Sequence, residues 1–284
     1  MSPAWMAVLF GLGGAIGWGT GNYFAACSTK EKSSAFTVYN SNLLALIAFA
    51  LIVMVFRLHI IFSISLMAFL AVDYLIFTIG LLLAYKAYAL GPLSITSPII
   101  SGYSLIVLAY SVFIIGDVLK AFQWLGILVL FIGLFAVIYE KGRKRGKVNF
   151  KTSGVSIALL SLVFEGIGLS GYVYAIRQSN WETTNLYVIF FLTFWTAVYL
   201  IYKKQFKKPK FSKNVIALTG FSLIGTLAVS IGIEKASSAV VFPVSSLSPL
   251  ITSILGIILL KEKLLKYKLV GVVFIILGLV LMSF

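Results

Sequence analysis

Long apolar runs dominate this sequence and restrict what the chain can fold into. A helix needs about 20 apolar residues to cross the hydrocarbon core of a bilayer, and runs of this kind follow one another along the chain. Of all residues, 61% are hydrophobic and 11% are charged, whereas soluble globular domains carry about 25% charged residues. A soluble domain could not hide so much apolar surface from water. The sequence therefore predicts an integral membrane protein.

The apolar runs divide into ten predicted membrane-spanning helices. In lipid each span must satisfy its own backbone hydrogen bonds, which favours helices. Strands of a membrane barrel would alternate apolar and polar residues in segments of about ten, and these runs do not alternate. The first run is longer than the core of a signal peptide and follows no basic residue, so we expect a retained helix. The predicted spans are residues 4–26, 34–56, 66–90, 92–115, 119–140, 154–177, 183–202, 215–235, 237–260 and 265–283.

The second half of the sequence repeats the first half. At an offset of 145 residues the halves align without a gap over about residues 79–134. The aligned pairs include Gly80 with Gly225, Pro98 with Pro243, Ser101 with Ser246, Asp117 with Glu262, Gly126 with Gly271, and Gly133 with Gly278. A second match, at an offset of 149, pairs Gly17, Gly19 and Tyr23 with Gly166, Gly168 and Tyr172. Such coincidences of proline, glycine and loop acids indicate an internal repeat rather than a chance likeness of apolar helices.

Each repeat holds five spans, so the two repeats have opposite topologies. We expect the first repeat to cover residues 1–140 and the second 154–284, joined by a basic loop at 141–153. Because five is odd, the second repeat enters the membrane from the other side. Inverted repeats are typical of secondary transporters, which bind their substrate near the midplane between the repeats. The pattern therefore predicts transport by alternating access.

Three segments carry a resemblance to a known family. They are GLGGAIGWGTGNYF near the start, AYKAYALGPLSITSPI in the third and fourth spans, and SSLSPLITSILGIILLKEKLLKYKLVGVVFIILG near the end. Together they resemble the EamA-like branch of the drug/metabolite transporter superfamily, and the resemblance covers essentially the whole chain. The first unit departs from the family pattern at Asp117, where glutamate is usual, and at Ser104, which aligns with Pro249. The resemblance implies transport of small solutes such as amino acids, other metabolites or drugs.

The basic residues between the spans predict the orientation of the chain. The connections after the first, third, fifth, seventh and ninth spans hold 18 lysines and arginines, mainly at 141–151 and 203–213, and the opposite face holds four. Cytoplasmic loops are enriched in these residues, which places both termini outside a plasma membrane. The family resemblance implies the reverse, with both ends cytoplasmic. The net charge of +15 arises mainly from loop residues that orient the chain in the membrane and attract anionic lipid headgroups. We therefore expect no nucleic-acid partner.

Ionisable residues inside the spans indicate where a substrate binds. A charge at membrane depth is costly and usually faces a cavity or a partner. Glu165 lies near the middle of the sixth span, and Asp73 lies about two turns into the third, closer to the interface. Lys86 lies near the end of the third span, where its long side chain either lines a site or reaches the headgroups.

Small polar residues share helical faces with these positions. Ser161, Glu165, Gly168 and Tyr172 form one face of the sixth span, and serine stripes mark the fourth and ninth. Such stripes serve equally for close helix packing, and the glycine pairs Gly126/Gly133 and Gly271/Gly278 are better explained by packing alone. The predicted substrate cavity comprises Trp18, Asn22, Lys86, Ser97, Ser101, Glu165, Tyr172, Ser245 and Ser248.

Two prolines at equivalent positions predict hinges. Pro98 and Pro243 lie several residues inside their spans, where proline removes a backbone donor and kinks a helix. In lipid the freed carbonyl groups need a partner or water, which favours a cavity wall or a hinge.

These features predict a secondary transporter that exports a small polar metabolite, such as an amino acid. Efflux of lipophilic cations is the alternative, and a membrane enzyme is a remote one, because no histidine dyad, metal-ligand cluster or phosphate loop is present in the sequence. We expect no cofactor and no metal. The expected partners are a small-molecule substrate and the bilayer, with the chain acting as a monomer or a homodimer.

Overall fold

Ten helical spans follow one another in the computed structural model, which describes residues 3–31, 33–90, 93–138, 154–260, 266–282 and 284. Eight are single helices: α1 Pro3–Glu31, α2 Ser34–Phe56, α3 Ile64–Leu90, α5 Ala121–Ile138, α6 Val155–Gln178, α7 Trp181–Tyr202, α8 Lys213–Lys235 and α10 Lys266–Met282. Two are broken. The fourth consists of α4a Leu93–Ser101, α4b Tyr103–Tyr110 and a π-helical turn Ser111–Ile115, and the ninth of α9a Ser238–Ser245 and α9b Ser248–Leu260. The predicted all-α fold with ten spans is confirmed.

Length and composition make several of these helices membrane spans. Within the described residues, α2, α3, α6, α7 and α8 are each long and apolar enough to cross a bilayer. The basic loop at 141–151 and residues 261–265 lie outside the described residues. The orientation expected from these basic residues therefore stays a prediction.

Side-chain caps explain where several helices begin. Ser33 accepts a hydrogen bond from the Phe36 nitrogen before α2, and Ser212 accepts one from Val215 before α8. Before α7, the Asn180 side chain accepts a hydrogen bond of 2.8 Å from the Thr183 nitrogen. Each cap satisfies a backbone donor that the first turn leaves free. The starts of these helices are thus encoded locally.

Both broken spans are interrupted about three residues after the prolines of the repeat. The backbone of Pro98 lies in α4a, which ends at Ser101, and its side chain lies outside the described residues. Pro243 is buried in α9a, which ends at Ser245. After that end, the Ser246 hydroxyl donates a 2.6 Å hydrogen bond to the carbonyl oxygen of Pro243. The sequence predicted each span as one helix with a proline hinge; the structure breaks each span just after its proline.

The two repeats are interleaved through their first and third helices. The α1 helix packs against α8, and α3 packs against α6. A β-carbon placed on Gly80 of α3 would lie 2.8 Å from the backbone nitrogen of Glu165, and one on Gly225 of α8 would lie 2.9 Å from that of Trp18. Glycine at both positions allows the helix backbones to approach closely. The α1–α8 and α3–α6 contacts are therefore equivalent, and we call them the two seams. Each repeat contributes one helix to each seam.

These contacts change the alignment of α1 with α6. Because Gly80 and Gly225 are equivalent, Glu165 and Trp18 occupy matching positions, and their numbers differ by 147. The sequence match at an offset of 149 is thus displaced by two residues. The sequence match rests on identical glycines and one tyrosine. In the structure, the position that Glu165 occupies in the second repeat is occupied by Trp18 in the first.

The second set of glycines lies between α5 and α10. A β-carbon on Gly126 would lie 2.8 Å from the carbonyl oxygen of Gly278, and one on Gly133 would lie 2.7 Å from that of Gly271. All four glycines face one another across this contact, which is their predicted packing role.

Candidate substrate cavity

A cavity of about 180 Å³ lies between the two repeats. Eight spans contribute to its wall, from α1 to α4 and from α6 to α9, whereas the described wall includes no residue of α5 or α10. Both interleaved seams border it, because Trp18 and Glu165 line it. The cavity therefore lies where inverted-repeat transporters hold their substrates.

The structure brings together six of the nine residues predicted to form the site. Trp18, Asn22, Ser101, Glu165, Tyr172 and Ser248 line the cavity. Ser97 and Ser245 are buried behind the wall, beside the lining residues Tyr88 and Tyr103 respectively. Lys86 is exposed near the end of α3 and lies outside the described wall, which matches the snorkelling interpretation of this residue.

Glu165 is held in place by the two helices of its seam. Its side chain is 6% exposed, and the Ser161 hydroxyl lies 3.0 Å from its Oε1 atom. The same hydroxyl lies 3.0 Å from the carbonyl oxygen of Gly80 on α3. Since Glu165 is the one charged residue among the described lining residues, it dominates the electrostatics of the cavity.

Tyrosines form much of the wall around this carboxyl group. Tyr85, Tyr88 and Tyr103 lie within electrostatic reach of Glu165, and Trp18 packs edge-on against Tyr103 with 6.5 Å between the ring centroids. Aromatic faces attract cations, so the wall favours a positively charged group near the carboxylate. These tyrosines were not among the predicted site residues, although Tyr74, Tyr85 and Tyr88 fall at helical spacing on one face of α3.

Amides and hydroxyls line the α2 and α8 side of the cavity. Asn42 is a lining residue whose Nδ2 atom is buried without a hydrogen-bond partner in the described structure. Ser41 accepts a 3.2 Å hydrogen bond from Thr219, and Thr226 accepts a 3.1 Å hydrogen bond from the Trp18 indole. Buried polar groups in proteins are normally paired, so the free Asn42 donors are available to a ligand.

The cavity extends further toward one membrane face along α3. Its wall reaches Tyr88, two residues before α3 ends, but begins at Tyr74, ten residues after α3 starts. We call the face at the α3 end, with the connections after α1, α3, α5, α7 and α9, the basic face. The other is the opposite face.

A hydrogen-bonded layer closes the cavity toward the opposite face. The Tyr172 hydroxyl donates to Oδ1 of Asn185 at 2.6 Å, and Nδ2 of Asn185 donates to the Ser230 hydroxyl at 2.9 Å. Three helices, α6, α7 and α8, are joined by these two bonds. All three residues are buried, which makes the layer costly to break without replacement partners.

Asp117 forms a second layer at the opposite face itself. Its Oδ2 atom accepts hydrogen bonds from the hydroxyls of Ser237 and Ser238 and from the Ala239 nitrogen at 3.0, 2.8 and 3.1 Å. Its Oδ1 atom lies 3.5 Å from an Arg177 guanidinium nitrogen. The carboxylate therefore caps the start of α9a and holds it beside the end of α6.

Interleaved repeats with a cavity between them, whose largely apolar wall carries one acid and several polar side chains, are typical of a membrane transporter. Comparison with protein families then gives the particular family: the model of the EamA-like transporter family matches residues 5–139 and again residues 152–284. The chain belongs to the EamA-like transporter family, with two EamA units, and the predicted family is confirmed. The family consists of transporters rather than enzymes, so the chain is a multi-pass membrane transporter.

Individual proteins similar to the chain include one sequence relative and one protein of known structure. An uncharacterised protein of Methanocaldococcus jannaschii is 39% identical over 61 residues, which are 22% of this chain and 44% of that relative. The match thus spans less than half of the relative. A protein of known crystal structure superposes with a TM-score of 0.78, at 13% identity and with 98% of both chains covered. At that identity the likeness supports the fold alone.

Proposed function

We propose that this transporter exports a small polar metabolite bearing an amine, such as an amino acid, by alternating access. The observation that carries the proposal is Glu165, a buried carboxyl group in a cavity between the repeats. The carboxylate pairs with the amine of the substrate, and the surrounding tyrosines add cation–π attraction.

The free Asn42 amide favours an amino acid over a simple amine. Its Nδ2 atom is buried and unpaired, so a substrate carboxylate that accepts its hydrogen bond removes a desolvation cost. A zwitterion thus finds an anionic partner in Glu165 and a neutral donor in Asn42. The described wall holds no lysine or arginine.

The cavity is smaller than the pockets that hold drug-sized ligands, which favours a small metabolite over a drug as the substrate. Pockets for drug-sized ligands measure about 300–1,000 Å³, and this cavity measures about 180 Å³. Efflux of lipophilic cations remains the second candidate, because the tyrosine wall around an acid suits them also. A drug-resistance profile of cells that overproduce the protein distinguishes the two.

The two prolines and the basic face indicate how the transporter alternates and in which direction it moves its substrate. We infer that Pro98 and Pro243 are the hinges, since both spans break just after them, and that the basic face is cytoplasmic in the plasma membrane with the termini outside. The cavity then loads from the cytoplasm, and the layers at Tyr172 and Asp117 open for release. One chain supplies the whole cavity, so a monomer suffices for transport.

The experiment is amino-acid exchange in proteoliposomes, after a thermal-shift screen of the purified protein against single amino acids. A bound substrate stabilises the folded state by mass action. Replacing Glu165 by glutamine abolishes both stabilisation and exchange, while Glu182→Gln, at a half-buried position at the start of α7 outside the described wall, leaves both intact. Full activity of Glu165→Gln overturns the proposed role of this residue.

A further inference from the structure

A second buried carboxyl group lies outside the cavity. Asp73 on α3 is 7% exposed, and its Oδ2 atom has no hydrogen-bond partner in the described structure. The apolar residues Val72 and Leu75 on the same helix are 64% and 38% exposed, which places this part of α3 against lipid. Asp73 is therefore an unpaired acid at membrane depth.

Asp73 lies on the same seam as Glu165. A β-carbon on Gly171 of α6 would collide with the Asp73 carboxyl group, so this glycine makes the space that the acid occupies. Seven residues of α3 separate Asp73 from Gly80, which is a rise of about 10 Å. The seam thus holds two acids, each opposite a glycine: Glu165 in the cavity and Asp73 nearer the opposite face.

The titratable groups around Asp73 are tyrosines. Tyr74 on its own helix and Tyr110 on α4b interact with it electrostatically, and Tyr172 on α6 interacts with Tyr74. In the described parts of the chain the structure shows no ion pair to Asp73. Tyr74 and Tyr172 also line the cavity, so they form the layer that separates Asp73 from it.

An unpaired carboxylate in this position is unstable, because burying an ionised group without a partner costs several kcal/mol. A bound cation or a proton removes that cost. Among the described residues, no group of three or more histidine, cysteine or acidic side chains could hold a metal ion. A single carboxyl group among phenols suits a proton.

We propose that Asp73 is a proton-binding site that couples transport to a proton gradient, separate from the substrate site at Glu165. The coupling rests on the proposed function. When the transporter opens to the opposite face, the Asp73 carboxylate takes up one proton and becomes a neutral carboxyl group. The amine leaves at the opposite face in exchange for that proton. After the return to the basic face the carboxyl group releases the proton past Tyr74 and Tyr172, and the next amine binds.

Infrared difference spectroscopy tests the proton site without a substrate. The C=O stretch of protonated carboxyl groups is recorded for purified protein in lipid between acid and alkaline pH. We expect two bands over this pH range: one that persists at neutral pH and is lost in Asp73→Asn, and a different one that is lost in Glu165→Gln. Glu182→Gln is the control and keeps both bands. An unchanged spectrum in Asp73→Asn overturns the proposal.

A second variant covers the case in which Asp73→Asn fails to fold. Gly171→Ala crowds the Asp73 carboxyl group, so it shifts the Asp73 band and leaves the Glu165 band in place. If the Asp73 band does not shift, the site is not on this seam and the proposal fails.

Coupling is measured in proteoliposomes with radiolabelled amino acids. Asp73→Asn loses accumulation driven by a pH gradient, at least tenfold, but keeps exchange without a gradient; retained accumulation overturns the coupling. If the unmodified protein moves no amino acid, the proposed function fails, whereas the infrared bands still decide the proton site.

Discussion

The backbone nitrogen of Glu165 lies 2.8 Å from the point where a β-carbon on Gly80 would stand. Because Gly80 has no side chain, α3 approaches α6 closely at Glu165, and this contact fixes the position of the acid in the cavity. A methyl group at this point would meet backbone, which moves less readily than the end of a flexible side chain.

Replacing Gly80 by alanine should push α3 away from α6 and displace Glu165. Overpacking of this kind costs about 1–3 kcal/mol, so we expect a lower thermal midpoint and amino-acid exchange reduced at least tenfold. Gly220→Ala is the control, because nothing lies within 4 Å of its added carbon. It should be neutral or stabilising, since alanine favours a helix interior by about 1 kcal/mol over glycine. Equal behaviour of the two variants would contradict the positioning role of Gly80.

The seams also show what the sequence could and could not predict. Apolar run lengths and aligned glycines were sufficient for the ten spans and the two repeats, because lipid allows few alternatives. The matching of Trp18 with Glu165 was not predictable from identities, because the two positions carry different residues. The tyrosine wall was missed for another reason: aromatic residues that face lipid and those that face a cavity have the same helical spacing and the same hydropathy.

Asn42 should set the preference for a carboxylate on the substrate. Removing its buried donors by Asn42→Ala should raise KM for a transported amino acid about tenfold or more, because a hydrogen bond to a charged group contributes about 1.5–3 kcal/mol. A matching amine without a carboxylate should be unaffected. Exchange assays with both compounds measure the difference. Asn40→Ala is the control, since Asn40 is buried two residues away and lies outside the described wall. Equal losses for both compounds would show a structural role only.

Asp117 should hold the opposite face closed. Asp117→Ala removes the acceptor for three donors at the start of α9a and the partner of Arg177. Loss of a cap costs about 0.5–2 kcal/mol, so the state open to this face becomes more populated. The measurement is the rate at which a membrane-impermeant thiol reagent modifies Ser230→Cys in a Cys27→Ser background.

That rate should rise several-fold in Asp117→Ala, because Ser230 lies in the closing layer beneath Asp117. Glu182→Ala provides the control and should leave the rate unchanged. A rate that does not respond to Asp117→Ala would show that this carboxylate stabilises α9a without gating the cavity.

The paired prolines should control the rate of alternation. Replacing both Pro98 and Pro243 by alanine restores a backbone donor in each broken span and favours continuous helices. We expect slower exchange, by tenfold or more, in a protein that keeps its fold and its thermal stabilisation by substrate. Pro209→Ala is the matched control, because Pro209 is exposed in the connection between α7 and α8. Unchanged exchange in the double variant would remove the hinge hypothesis.

The orientation can be decided by two single cysteines on different faces. In a Cys27→Ser background, Lys147→Cys lies in the basic loop, and Val118→Cys replaces a residue that is 89% exposed between α4 and α5. The lysine and arginine bias predicts a cytoplasmic loop at residue 147. An impermeant maleimide added to intact cells should therefore label position 118 and spare position 147, and both should react after lysis. The reverse pattern would place both termini in the cytoplasm. The opposite face, which Asp117 and Arg177 close, would then be the cytoplasmic face. In this conformation the cavity would accept its substrate from outside.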